Sequence, residues 1–220
     1  MTANSNNVRA VIFDFGGVLC FHPTEDRFAR IADLLGISTA RLLEIFWAHR
    51  IEYDAGLLDS RAYWTSVAAA AGRLLPGKPF DDELLARLGK LEIELWNNFD
   101  RRVFAWAAHL KSKGIRTAML SNLPHSLGEA LLATPGLLDP FDHLTLSYRL
   151  KIVKPEAAIY HVAAQGAGVA PGEALFLDDK LENVEGARAI GMQAELYTTW
   201  EAFLDQAAGR YNLPMLLQSP

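Results

Sequence analysis

Three short runs end on polar residues where a strand should stop: Ala10-Val11-Ile12-Phe13-Asp14, Thr117-Ala118-Met119-Leu120-Ser121 and Ala174-Leu175-Phe176-Leu177-Asp178-Asp179. Apolar runs of this length, rich in β-formers and followed by helical patterns, predict buried parallel strands. An open α/β sheet binds its ligands beyond the carboxyl ends of such strands. One sheet edge then collects Asp14, Ser121, Asp178 and Asp179. Carboxylates about 4 Å apart repel by about 4 kcal/mol per pair at an effective dielectric of about 20, so positive charge belongs among them. Mg²⁺ and a lysine are the candidates.

The lysine is sought in Lys151-Ile152-Val153-Lys154-Pro155-Glu156, between the second and third runs. Lys154 is preferred to Lys151. Pro155 suits the first turn of a helix, Glu156 suits its positive end, and Ala158, Ile159, Val162 and Ala163 form an apolar stripe behind them. Lys154 is thereby fixed just ahead of a rigid element.

Between the first and second runs, about Phe21 to Asn98, no buried-strand pattern occurs. Ile31, Leu34 and Leu35, then Leu42, Leu43, Ile45 and Phe46, then Tyr63, Trp64, Val67 and Ala68 recur at helical spacing, with Gly36 and Gly56 as breaks. A separate helical layer follows, residues 21–98, inserted into an α/β core of residues 1–20 and 99–220. Tyr53 to Ser60 reads as the turn between two of its helices. The core resumes with a helix through Val103, Phe104, Ala107 and Leu110, stopped by Gly114 ahead of the second strand. A further helix spans Leu181 to Ile190, and Gln193 to Leu196 is a further strand.

Composition narrows the partners. The 220 residues are half apolar, enough for a large core, and the formal charge of −5 speaks against a nucleic-acid surface or an anionic membrane patch. A small-molecule partner fits better, with the chain a monomer or homodimer. Cys20 is the single cysteine, no run approaches a membrane span, and Met1 to Asn7 lacks a signal-peptide core, so a cytoplasmic enzyme is expected.

The ordered set Phe13-Asp14-Phe15-Gly16-Gly17-Val18, Leu120-Ser121-Asn122, Lys154-Pro155 and Phe176-Leu177-Asp178-Asp179 resembles the haloacid dehalogenase-like (HAD) hydrolase superfamily. Each motif alone is weak, but all four occur in order in matching strand contexts, spanning Asp14 to Asn183. The resemblance implies a Rossmann-like parallel sheet flanked by helices, with residues 21–98 as a helical cap that closes over the site. It also implies a Mg²⁺-dependent phosphomonoester hydrolase acting on a small phosphate ester, sugar phosphates above all. Asp14 would attack phosphorus and form an aspartyl phosphate. Asp14, the Gly16 carbonyl and Asp179 form an oxygen set suited to Mg²⁺, with Asp178 either ligating or orienting Lys154. The Ser121 hydroxyl and the Asn122 amide would donate to phosphoryl oxygens, Lys154 would neutralise charge, and Gly17 would let the backbone approach the phosphate. Asn183 could steady the loop.

Taken singly, these residues have plainer readings. An Asp or Ser after a strand is often a turn former or helix cap, and a lysine before proline is often a solvated charge. Their convergence at one sheet edge is what carries the functional reading. One position departs from the family pattern: many phosphatases of the superfamily have a second Asp two residues after the nucleophile as general acid/base, and here it is Gly16. His22, Glu25 and Asp54 are candidate replacements. The superfamily's dehalogenases also lack that Asp, which leaves metal-free 2-haloacid dehalogenation as an alternative, although Asp178 and Asp179 would burden such a site. A non-catalytic phospho-ligand-binding or regulatory role is a second alternative.

Overall fold

The computed structural model describes residues 8–73, 81–206 and 208–216. Five strands, β1 (Ala10–Phe13), β2 (Arg116–Ser121), β3 (His143–Leu146), β4 (Ala174–Asp178) and β5 (Gln193–Leu196), form one parallel sheet in the order β3-β2-β1-β4-β5. Side chains alternate across this sheet, so β1 serves two cores at once. Val11 and Phe13 pack with Met119, Leu175, Leu177 and Trp106, whereas Ala10 and Ile12 pack with Leu120, Phe176, Ile159 and Val184.

Among the described residues, five helices lie between β1 and the return to the core: α1 (Glu25–Leu35), α2 (Thr39–Phe46), α3 (Arg50–Asp54), α4 (Ser60–Ala70) and α5 (Asp82–Leu95). They share an apolar cluster of their own, including Phe28, Ile31, Phe46, Tyr63, Trp64 and Leu95. Gly36 ends α1 in the left-handed conformation at φ 63°, and the Asp59 carboxylate accepts from Ala62 N at 2.7 Å to start α4. The chain leaves and re-enters the sheet through paired segments. Phe21 N donates to Asn98 O and Asp100 N donates to Leu19 O, both at 2.9 Å.

The core helices are α6 (Arg101–Ser112), α7 (His125–Leu132), α8 (Ser147–Leu150), α9 (Ala157–Gly166), α10 (Leu181–Ala189) and α11 (Trp200–Gln206). Trp106 of α6 meets Phe13 edge to face at 5.6 Å and anchors that layer. No helix among the described residues is long and apolar enough to cross a membrane.

Three local expectations need correction. Pro155 does not begin a helix: α9 starts at Ala157 with Glu156 as its cap residue. The Glu156 carboxylate instead accepts from Val153 N at 3.1 Å, closing a turn of its own before the helix starts. Tyr53 and Asp54 are helical, so the turn before α4 is Ala55 to Asp59. Strand β3 is an edge strand the sequence reading lacks, because His143 and Thr145 break its apolar pattern and its first two residues are only half-buried.

Candidate active site

Register assembles the site. Phe13 lies beside Met119 on one side and Leu177 on the other, so Asp14 leaves the sheet level with Asp178. Asp14 N donates to Leu177 O at 2.9 Å, and its own Oδ1 accepts from Phe15 N at 2.6 Å. Ser121, buried, closes β2 one residue beyond that level.

Lys154 reaches this edge from the loop before α9. Its Nζ lies 2.8 Å from Asp14 Oδ1 and 2.7 Å from Asp178 Oδ2, and it donates to Leu120 O at 3.3 Å. Asn122 fixes that loop with both ends of its amide: Nδ2 donates to Lys154 O at 3.0 Å, and Oδ1 accepts from Lys154 N at 2.9 Å. The Asn122 side chain thus positions the lysine. Asp178 accepts further bonds from Lys180 N at 2.8 Å and from Asn183 Nδ2 at 3.0 and 3.1 Å. A carboxylate so fully engaged is fixed in orientation.

Asp179, the next residue, pairs its Oδ2 with His22 Nε2 at 3.0 Å. Asp14, Asp178 and Asp179 each offer an oxygen, and the three atoms lie within 4.8 Å of one another. Gly17, at φ 78°, makes room for this: a Cβ there would sit 2.5 Å from the Asp179 carboxyl carbon. At Gly16 a Cβ would meet the Trp96 ring at 3.1 Å. Trp96 therefore occupies the direction a side chain at 16 would take.

The charges are strongly coupled. Burial pushes the Asp14 carboxyl up to about 7; Lys154 pulls it down, while Asp178 and Asp179 reinforce the rise. For Lys154, burial lowers the pKa, but Asp14 and Asp178 outweigh it and hold the ammonium above its ordinary value. The hydrogen bond to Asp179 raises His22.

A second polar cluster, within the helical layer, was missed at the level of sequence. Arg50 Nε donates to Asp54 Oδ1 and Arg50 Nη1 to Glu92 Oε1, both at 2.8 Å, and Tyr53 Oη donates to Glu92 Oε2 at 2.9 Å. Its signal was available: Glu92 shares a buried face of α5 with Leu88 and Leu95, an acid inside an apolar stripe.

The family model for haloacid dehalogenase-like hydrolases matches residues 8–191, from the start of β1 to the end of α10 and just beyond. The chain belongs to this hydrolase family. Among HAD relatives, the sesquiterpene phosphatase astK of Aspergillus oryzae is 29% identical over 185 residues, covering 84% of this chain and 87% of that protein. A HAD family enzyme of Bacteroides thetaiotaomicron, solved as a mutant with magnesium and inorganic phosphate, superposes with a TM-score of 0.71 at 18% identity, covering 89% of this chain and 98% of that one. The L-2-haloacid dehalogenase of Xanthobacter autotrophicus, solved with chloropropionic acid covalently bound, gives 0.66 at 22% identity, covering 94% and 85%. Both HAD chemistries thus occur on this fold.

Proposed function

We propose that this HAD hydrolase is a Mg²⁺-dependent phosphomonoester hydrolase of small phosphorylated metabolites, sugar phosphates above all. The observation that carries the reading is the convergence of Asp14, Asp178 and Asp179 within 4.8 Å around a single buried lysine. Three carboxylates against one ammonium leave an excess of negative charge, and an all-oxygen donor set suits a hard divalent cation. Asp14, Asp179 and the Gly16 carbonyl would hold Mg²⁺, with Asp178 kept in place by Lys180 N and Asn183. When bound, the ion would offset the charge of an incoming phosphate dianion. The phosphatase and the magnesium- and phosphate-bound enzyme among the relatives support the same reading.

An Asp14 oxygen attacks phosphorus as the ester oxygen departs, giving an aspartyl phosphate that water then hydrolyses. Lys154, fixed by Asn122, neutralises charge at the Asp14 end of the site. The Ser121 hydroxyl and Asn122 N–H donate to phosphoryl oxygens. Residues 21–98 act as a cap, excluding water and selecting the substrate.

Dehalogenation of a 2-haloacid is the second reading, favoured by the covalently trapped relative. Its carboxylate substrate would face Asp178 and Asp179, and repulsion there argues against it. The test is a panel of sugar phosphates and p-nitrophenyl phosphate beside 2-chloropropionate, each with Mg²⁺ or a chelator. Phosphate release that the chelator abolishes is expected. Chelator-resistant halide release would establish the dehalogenase, and tight phosphate-ester binding without turnover a binding role.

A further inference from the structure

We propose that Asp54, the last residue of α3 and the start of a turn tied to the loops after β2 and before α9, is the proton-transfer residue that takes the place of the carboxylate absent at Gly16. The inference rests on the phosphatase reading above. With the direction from residue 16 occupied by Trp96, a proton carrier has to come from another element. Of the three polar candidates read from the sequence, Glu25 is exposed on α1, and His22 is exposed and pairs with Asp179, a residue assigned to the metal.

Asp54 is placed by backbone bonds to the core. Ser147 Oγ donates to Asp54 O at 2.5 Å while accepting from Leu123 N at 3.0 Å, two residues beyond Ser121. Lys151 Nζ, from the loop that carries Lys154, donates to Gly56 O at 2.5 Å. The turn that follows Asp54 is therefore tied to both loops that supply the phosphate-handling groups.

The surroundings of Asp54 favour a proton on its carboxyl. Asp54 and Glu92 share one guanidinium, Arg50, in a setting where Phe46, Tyr53 and Tyr63 rings lie 5.3 to 5.9 Å from its carbon. Two carboxylates on one cation leave one negative charge in excess, and burying it is costly. Glu92 is fully buried and has donors on both oxygens, from Arg50 and Tyr53. Asp54 keeps 14% of its side chain exposed. Burial lifts its carboxyl to about 7, Arg50 opposes this, Glu92 adds to it, and Lys180 of the loop after Asp178 lowers it. That lies in the range in which a carboxyl can both give and take a proton at neutral pH.

The step balances as follows. Asp14 Oδ bonds to phosphorus, the P–O bond to the alcohol breaks with its electron pair on the ester oxygen, and that oxygen takes the Asp54 proton. The Asp54 carboxylate then takes a proton from water as the water oxygen bonds to phosphorus. The Asp14–phosphorus bond breaks, freeing phosphate and restoring both acids.

The experiment compares kcat/KM of the full chain and its Asp54→Asn variant, with Mg²⁺, on an alkyl sugar phosphate and on p-nitrophenyl phosphate. The alkoxide needs a proton to leave; p-nitrophenolate departs as a stable anion. The expected loss is about 10²- to 10⁴-fold on the alkyl ester and far smaller on the nitrophenyl ester. Equal losses on both esters would overturn the proposal, as would no loss. Glu92→Gln is the second variant: relieved of the neighbouring charge, Asp54 should lose its proton more easily, moving the alkaline limb of the pH profile downward. An unmoved limb would also overturn it, even if Asp54→Asn fails to fold. A native chain inactive on both esters would instead sink the phosphatase reading itself.

Discussion

Lys154 shows how much of the site's stability hangs on one side chain. Its side chain is 1% exposed between Asp14 and Asp178. Lys154→Met removes the cation and leaves two carboxylates facing each other, which should cost about 3 to 5 kcal/mol in the metal-free protein. Denaturant melts with and without Mg²⁺ measure this, and the ion should recover part of the loss. Gly17→Ala is a smaller change with a directed effect. Its φ of 78° and the 2.5 Å approach to Asp179 mean that a methyl group must displace that carboxylate. Weaker Mg²⁺ binding by calorimetry is expected, with a stability loss of about 1 kcal/mol or more. Unchanged Mg²⁺ affinity would show that Asp179 does not contribute to the site. Asp14, Ser121, Asp178 and Asp179 were legible in the sequence because each ends an apolar run, and Lys154 because a proline follows it. The Trp96 contact that accounts for Gly16 was not, since the two meet only through tertiary packing.

At the scale of elements, the strands that pair on both sides could be read from their apolar runs, whereas β3, an edge strand with His143 and Thr145 among its four residues, offers no apolar run. The α3–α5 contact was hidden for another reason: Arg50, Asp54 and Glu92 look like surface charges until the helices are packed. Their burial has a measurable consequence. Asp54 ordinarily titrates at 3.8 and in the fold at about 7, so between those values the native state binds more protons than the unfolded chain. Its stabilising contribution is complete below 3.8 and is lost as pH rises through 7. Melting temperatures of the native chain relative to Asp54→Asn should fall across that window. A constant difference would mean that Asp54 is ionised throughout, satisfied by Arg50.

Across the whole molecule, the helical layer meets the core through two kinds of contact. Where the chain crosses between them, the segments Leu19–Phe21 and Asn98–Asp100 pair through backbone hydrogen bonds, and side chains bridge the two parts further out. Tyr53 Oη and Ser126 Oγ lie 2.9 Å apart, and Ser147 and Lys151 bond the backbone around Gly56. Cutting one bridge by Ser147→Ala should loosen the helical layer, which is proposed to cap the site. KM for a sugar phosphate should rise several-fold, while the melting temperature shifts by a few degrees at most, as expected for about 1 kcal/mol in a chain of this size. An unchanged KM would separate the bridge from substrate handling.

The claim on which the rest depends is that Asp14 takes the phosphoryl group. Rapid acid quench of the Mg²⁺-loaded protein during turnover of p-nitrophenyl phosphate, followed by peptide mass spectrometry, tests it directly. One phosphoryl group on the peptide containing Asp14, absent from Asp14→Asn, is the predicted result. Full phosphate release with no phosphorylated peptide, or with the group on another residue, would contradict it.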